Sequence, residues 1–277
     1  MGLRIATNIA SQSVQKNLKD VSGAGNAELE KLSSGKRITK GADDAAGLAI
    51  ATNLEAQTKG LRQATRNAND GISLVQTAEG GLAETSNILV RLRELTIQSA
   101  SDTVGDVERG FLNKEYQQLS KEVDRISDST SFNGSQLLNG KGKGSMDFQV
   151  GAFAGEQNKI TFDSSETNSS TSSIGISGSG IESKDDALSA ISSVDKAIQT
   201  VSGQRANLGS IQSRLGSTVK NLETQTINQD SARSVIQDVD VAEASASLAS
   251  NNVVKNAAVS TLAQANAIPN AALRLIS

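Results

Sequence analysis

Two sets of apolar residues spaced seven apart constrain the fold of this chain more than any other feature. Leu54, Leu61, Ala68, Val75, Leu82 and Leu89 form the first, and Ala187, Val194, Val201, Leu208, Leu215 and Leu222 the second. A sustained seven-residue repeat keeps one seam of a helix against its neighbour and gives a left-handed supercoil. The companion positions are less regular, which points to a bundle with coiled-coil-like packing, not a strict two-stranded zipper. The predicted fold is therefore mainly α: a long antiparallel helical bundle, a small β-hairpin and extended terminal helices. Aromatic residues make up 2% of the chain, and since aromatics supply the largest single burials, the core is expected to be thin.

The stretch "RNANDGISLVQTAEGGL", Arg66–Leu82, sharpens that expectation. It reads as helix but holds Gly71, Gly80 and Gly81, each costing about 1 kcal/mol against Ala in a helix. Small side chains let another helix approach to within the 8–10 Å range set by side-chain size. On this reading, the missing bulk is supplied between molecules.

Breaks in the pattern divide the chain. Asp43 or Asp44 in "GADDAAG" is the predicted N-cap of the first long helix, and Gly105 interrupts its end. A third helix follows, with Phe111, Tyr116, Leu119, Val123 and Ile126 as its apolar positions, until "SFNGSQLLNGKGKG" breaks it. "MDFQVGA" and "NKITFD" predict a hairpin near 145–163, and Thr167–Gly180, dense in hydroxyls, predicts an exposed loop open to O-linked sugars. Helix resumes near Asp185. The reading sets an outer helical domain at 43–234 and two flanks at 1–42 and 235–277. The flanks carry apolar residues at helical spacing: Ile5, Ile9, Leu18, Val21, Leu29 and Leu32 in the first, and Leu248, Val259, Leu262, Ile268, Leu273, Leu275 and Ile276 in the second. A helix of about 40 residues extends roughly 60 Å, so other copies of the chain are the expected cover for these stripes.

Composition excludes much chemistry. There is no His and no Cys, which removes imidazole acid–base catalysis, the His-dependent triads, disulfides and the usual zinc sites. Ser13–Lys16 and Ser193–Lys196 match S-x-x-K, but the companion elements of Ser–Lys acyl enzymes are missing. "DVDVAE" at Asp238–Glu243 lacks the glycine and further ligands of a calcium loop and reads as a solvated helix face. The formal net charge of -3 argues against nucleic acid as a partner, and "KRITK" is too short to reverse that. No run of about 18 apolar residues predicts membrane insertion, and the first residues lack the apolar stretch of a cleavable signal peptide. No enzymatic activity, cofactor or metal is expected.

The strings "EKLSSGKRITKGADDAAGLAIA", "RNANDGISLVQTAEGGL" and "VRLRELTIQSASD" closely resemble the N-terminal region of bacterial flagellin, and "STLAQANAIPNAALRLIS" resembles its C-terminal region. The resemblance implies a subunit of the extracellular flagellar filament. In that family the two terminal helices pair into an inner tube lining the central channel, and the long helices and hairpin form the shell around it. Subunits leave unfolded through the flagellar type III route, and the implied partners are further copies, an export chaperone, and cap and junction proteins. With only Ser164–Ser183 where many relatives insert outer domains, no variable outer domain is expected. Metalloprotease-bearing relatives need a His-containing insert, which this chain lacks. The family's contacts with the Toll-like flagellin receptor map onto Arg91, Leu95 and Glu115. Rival readings are a hook–filament junction protein of the same superfamily and, in a different class, a secreted adhesin or immune ligand.

Overall fold

The computed structural model describes the backbone of residues 7–274 and the side chains of residues 7–267. Five helices dominate it: α1 (Ile9–Ser34), α2 (Ala45–Ala100), α3 (Asp106–Ser129), α4 (Lys184–Gln237) and α5 (Val241–Arg274). Between α3 and α4 lie two antiparallel ribbons. The first pairs β1 (Ser131–Phe132) with β2 (Ser135–Gln136), and the second pairs β3 (Ser145–Gln149) with β4 (Lys159–Asp163). The chain forms two compact units, Met1–Ala56 with Asn228–Ser277, and Gln57–Ile227. Their boundary falls within α2 and α4, whereas the sequence reading set it at the helix breaks near 42 and 235.

Four of the five helices begin where a short polar side chain satisfies free backbone donors, and α3 alone starts from a glycine, Gly105, with no side-chain cap. Asn8 Oδ1 accepts from the Ser11 amide at 3.0 Å at the start of α1. Of the two aspartates before α2, Asp44 takes the cap, accepting from the Gly47 amide at 2.8 Å. Asp43 instead closes the preceding turn, accepting from the Thr39 amide and hydroxyl and from the Lys40 amide. Those bonds hold its carboxyl below the usual carboxylate range. Because the folded pKa is depressed, this closure is present above the ordinary aspartate pKa and lost as pH falls through the lowered one. We expect the Thr39 and Lys40 amide signals to shift together in an acid NMR titration, and Asp43→Asn to abolish that joint transition. At α4, the Ser183 hydroxyl accepts from the Asp186 amide and donates to the Asp186 carboxylate, a side-chain N-cap. Asp240 caps α5 through the Ala242 and Glu243 amides, so "DVDVAE" is solvated, as expected, and marks the start of a helix.

In unit Gln57–Ile227 the heptad residues from Ala68 to Leu89 and from Ala187 to Leu215 line one core, while Leu61 and Leu222 pack with Ala64 in a second, smaller cluster. Val75, Leu82, Leu89, Val194, Val201, Leu208 and Leu215 are fully buried, together with Leu92, Leu95, Tyr116 and Phe162. α3 departs from its predicted stripe. Its buried residues are Arg109, Asn113, Tyr116, Val123 and Ser127, and Phe111 is 63% exposed. The inward line runs at three- and four-residue steps from Arg109, and Phe111 falls between two of them. Arg109 donates to the carbonyls of Ser99 at 2.9 Å and Ser101 at 3.1 Å, satisfying acceptors at the end of α2 that the helix itself leaves free.

Gly71 and Gly81 of α2 are explained inside the molecule, contrary to the reading from sequence, whereas Gly80 is not. A Cβ on Gly71 would meet the Phe148 ring of β3 at 3.1 Å, and one on Gly81 would lie 2.6 Å from Leu138 Cδ1 and 2.7 Å from Thr130 Oγ1. At Gly80 nothing lies within 4 Å. Two adjacent Gly→Ala substitutions should therefore have opposite signs in thermal melts. Gly80→Ala should stabilise by about 1 kcal/mol through helix propensity, and Gly81→Ala should destabilise by about 1–3 kcal/mol through overpacking.

The segment expected to be an exposed loop is instead packed. Thr167, Ser169, Thr171, Ile174, Ile176 and Ile181 are buried. Thr167 Oγ1 donates to the Leu137 carbonyl at 2.8 Å, and Asp124 accepts from both the Thr171 amide and hydroxyl. The Ser179 and Tyr116 hydroxyls share a 2.7 Å bond. Hydroxyl-rich composition here supplies backbone satisfaction near helix α3, while the isoleucines among the hydroxyls anchor the segment in the core.

Candidate contact surfaces

A chain with this architecture offers chemistry through its surfaces, so the informative residues are apolar side chains left in solvent. In unit Met1–Ala56 with Asn228–Ser277, α1 turns Ser11, Val14, Leu18, Val21, Gly25, Glu28 and Leu32 inward at alternating three- and four-residue steps. On α5 the inward line is Ala244, Leu248, Asn251, Ala258, Leu262 and Ala265. This is heptad spacing again, built from thin residues: a Cβ on Gly25 would lie 3.9 Å from Asn251 Cβ. Polar cross-links finish the pair. Asn8 Nδ2 donates to the Ala265 carbonyl at 2.9 Å, and Ser11 Oγ donates to Asn266 Oδ1 at 2.8 Å. Near the helix breaks, the backbones of Lys36 and Asp238 form an isolated antiparallel β-bridge, and Arg37 donates its amide to the Gln237 carbonyl at 2.7 Å.

The seam uses little of the available apolar surface. Ser11 is the one buried residue of α1, and Ile9, Leu29, Val241, Val253, Val254 and Val259 are all exposed. Val253, 69% exposed, lies nine residues beyond Ala244, half a turn away from the seam at 3.6 residues per turn. The sequence reading named Ile9, Leu29 and Val259 but missed Val241, Val253 and Val254. The adjacent valines were the available signal, because one helix face cannot take both. Leu262 is half-buried in the seam. The side chains of Ile5, Ile268, Leu273 and Leu275 lie outside the described residues.

The remaining assembly residues read from the sequence divide differently. Leu61, Val75, Leu82, Leu89, Val201, Leu208, Leu215 and Leu222 are buried within unit Gln57–Ile227, and Leu54 is half-buried. They pack the chain's own interior. On the outside of that unit, Arg91 donates to Glu115 from Nη2 at 2.8 Å and from Nε at 3.0 Å, and to Glu94 from Nη1 at 2.9 Å. The Glu115 bonds first, then that to Glu94, raise the guanidinium pKa. Arg91 and Glu115 thus present a fixed, exposed ion pair joining α2 to α3. Leu95, expected beside them on the contact surface, is fully buried beneath, and no partner reaches it in the folded subunit. No group of His, Cys, Asp and Glu among the described residues could hold a metal ion, and no described helix is long and apolar enough to cross a membrane.

Comparison with known proteins agrees with the architecture. Residues 5–143 match the family model of the bacterial flagellin N-terminal helical region, and residues 191–276 that of the C-terminal helical region. The chain is 40% identical over 269 residues to the flagellin of Halalkalibacterium halodurans, covering 97% of this chain and 98% of that protein. It is 37% identical to the flagellar filament core protein flaB2 of Brachyspira hyodysenteriae, covering 98% and 99%. The crystal structure of Bacillus cereus flagellin superposes with a TM-score of 0.52 at 29% identity, covering 61% of this chain and 94% of that one. The chain belongs to the bacterial flagellin family.

Proposed function

We propose that this flagellin polymerises into the extracellular flagellar filament by burying the outward faces of α1 and α5 against other copies of itself. The observation that carries the reading is the row of exposed side chains Ile9, Val241, Val253, Val254 and Val259 on a helix pair already joined by its own seam. Apolar surface left in water favours association at about 25 cal/mol per Å² removed, and a repeated contact that does not close into a ring makes a helical polymer. In the assembled state residues 1–42 and 235–277 form the inner tube around the channel, and residues 43–234, with the hairpin at Ser145–Asp163, form the shell. The subunit reaches the growing end by flagellar type III export with the help of a chaperone, and is retained by cap and junction proteins. Absence of His and Cys supports a structural, not catalytic, role. The exposed Arg91–Glu115 pair supports a receptor contact on the shell, made without Leu95.

The test is seeded growth. Purified subunit added to sheared filament fragments should lengthen them, as seen by electron microscopy. A chain that stays monomeric on seeds would overturn the reading and favour the secreted adhesin.

A further inference from the structure

The geometry points to Asn133 as a chemical modification site, which we propose deamidates spontaneously through a succinimide as the subunit ages. Asn133 and Asn139 are the chain's two asparagines followed by glycine. That pairing matters because a glycine amide meets no side chain when it attacks the asparagine carboxamide. The structure treats the two in opposite ways.

Asn139 is buried and clamped. Its Nδ2 donates to Asp128 Oδ1 at 3.1 Å and to Gln136 Oε1 at 2.6 Å, while its Oδ1 accepts from the Lys141 amide at 2.9 Å. Rotating its carboxamide toward the Gly140 amide breaks all three bonds. Asn133 is exposed, and its side chain makes no hydrogen bond among the described residues. With φ of 48° it is the one non-glycine residue at positive φ among the described residues, and Gly134 follows at 76°. These angles form the type I′ turn that Asn-Gly favours. The turn joins a ribbon of just two residue pairs, Ser131↔Gln136 and Phe132↔Ser135. Two-stranded ribbons of this size are marginal in water, so the turn opens readily to the extended backbone that attack requires.

In the reaction the Gly134 nitrogen bonds to Asn133 Cγ, and the Cγ–Nδ2 bond breaks with loss of ammonia. Water then opens the five-membered imide at either carbonyl, giving aspartate or isoaspartate. The isoaspartate route places one extra backbone carbon inside a two-residue turn. That cannot keep the β1–β2 register, which is fixed by loop length. The next residues, Leu137 and Leu138, are fully buried, and Leu138 is the side chain that fills the space at Gly81. Damage at an exposed turn is thus wired to the core. Filament subunits reside outside the cell, beyond intracellular repair, so converted subunits accumulate with age.

The experiment incubates the full chain in mildly alkaline buffer, alongside the free peptide of residues 130–138, and maps fragments by mass. Asn133 should gain about 1 Da, more slowly than the peptide but roughly tenfold or more faster than Asn139, whose three bonds must break first. The aged protein should melt at a lower temperature. Asn133→Gly keeps a turn that tolerates positive φ, and should show neither the mass gain nor the loss on ageing. Conversion of Asn139 as fast as Asn133, or an unchanged Asn133 once the peptide is exhausted, would overturn the proposal. So would equal ageing of Asn133→Gly and the parent chain.

Discussion

Replacing Leu208 by Asp should abolish the cooperative thermal transition of unit Gln57–Ile227 at neutral pH. Leu208 is fully buried in the core that also holds Val201 and Leu215. Losing its side chain costs about 2–5 kcal/mol as a cavity, and an unpaired carboxylate in its place adds several kcal/mol. Single domains hold only about 5–15 kcal/mol in total. The charge component can be separated by pH. Burial raises the folded pKa of the new carboxyl above its unfolded value, so the penalty is full above the folded pKa and shrinks as pH falls toward the unfolded one. Leu208→Asp should therefore regain part of its transition in acid relative to Leu208→Ala, whose deficit is a cavity at every pH. Ser172→Asp is the surface control. Ser172 is exposed, and its hydroxyl meets only Ser170 Oγ, at 3.2 Å, so melting should move by no more than about 0.5 kcal/mol. An unchanged melt in Leu208→Asp would sink the heptad seam.

The seam was legible because period and burial coincide: from Leu61 to Leu89 and from Ala187 to Leu222, every seventh residue is buried. The hairpin and the starts of α2 and α4 were legible for a similar local reason, since strand alternation and capping side chains act within a few residues. What escaped depended on partners distant in sequence. Ser and Thr at 167–180 look solvent-seeking until Leu137, Tyr116 and Asp124 are placed beside them. Gly71 and Gly81 look like invitations to another molecule until Phe148 and Leu138 fill the space above them. Phe111 is apolar and at helical spacing, yet a two-residue offset from Arg109 turns it to solvent. The contact surface was half legible for the same reason. Flank residues announced apolar stripes, but which part each helix would spend on the other could be seen only once the α1–α5 seam was in place.

That division of α5 into an inward and an outward face makes Val253 the most informative position for assembly. Its side chain is 69% exposed and lies half a turn from the Ala244–Ala265 line. In the isolated subunit Val253→Asp therefore alters neither the seam nor the Asn8 and Ser11 bonds to Ala265 and Asn266, and surface changes of this kind move stability by about 0.5 kcal/mol or less. In a filament the same position is repeated in every subunit, and burying an unpaired carboxylate there costs several kcal/mol at each contact. Seeds should fail to elongate, and cells carrying the variant should be non-motile, while the subunit's melting curve stays where it was. Val253→Ala provides the graded case. Removing two buried methyl groups at about 0.8 kcal/mol each should raise the critical concentration for elongation roughly tenfold. Val253→Ile should polymerise nearly as the parent does, because the face stays apolar. Should Val253→Asp elongate seeds at the parent's critical concentration, the outward face of α5 remains in solvent in the polymer. Subunit contacts would then have to run through α1 or the shell.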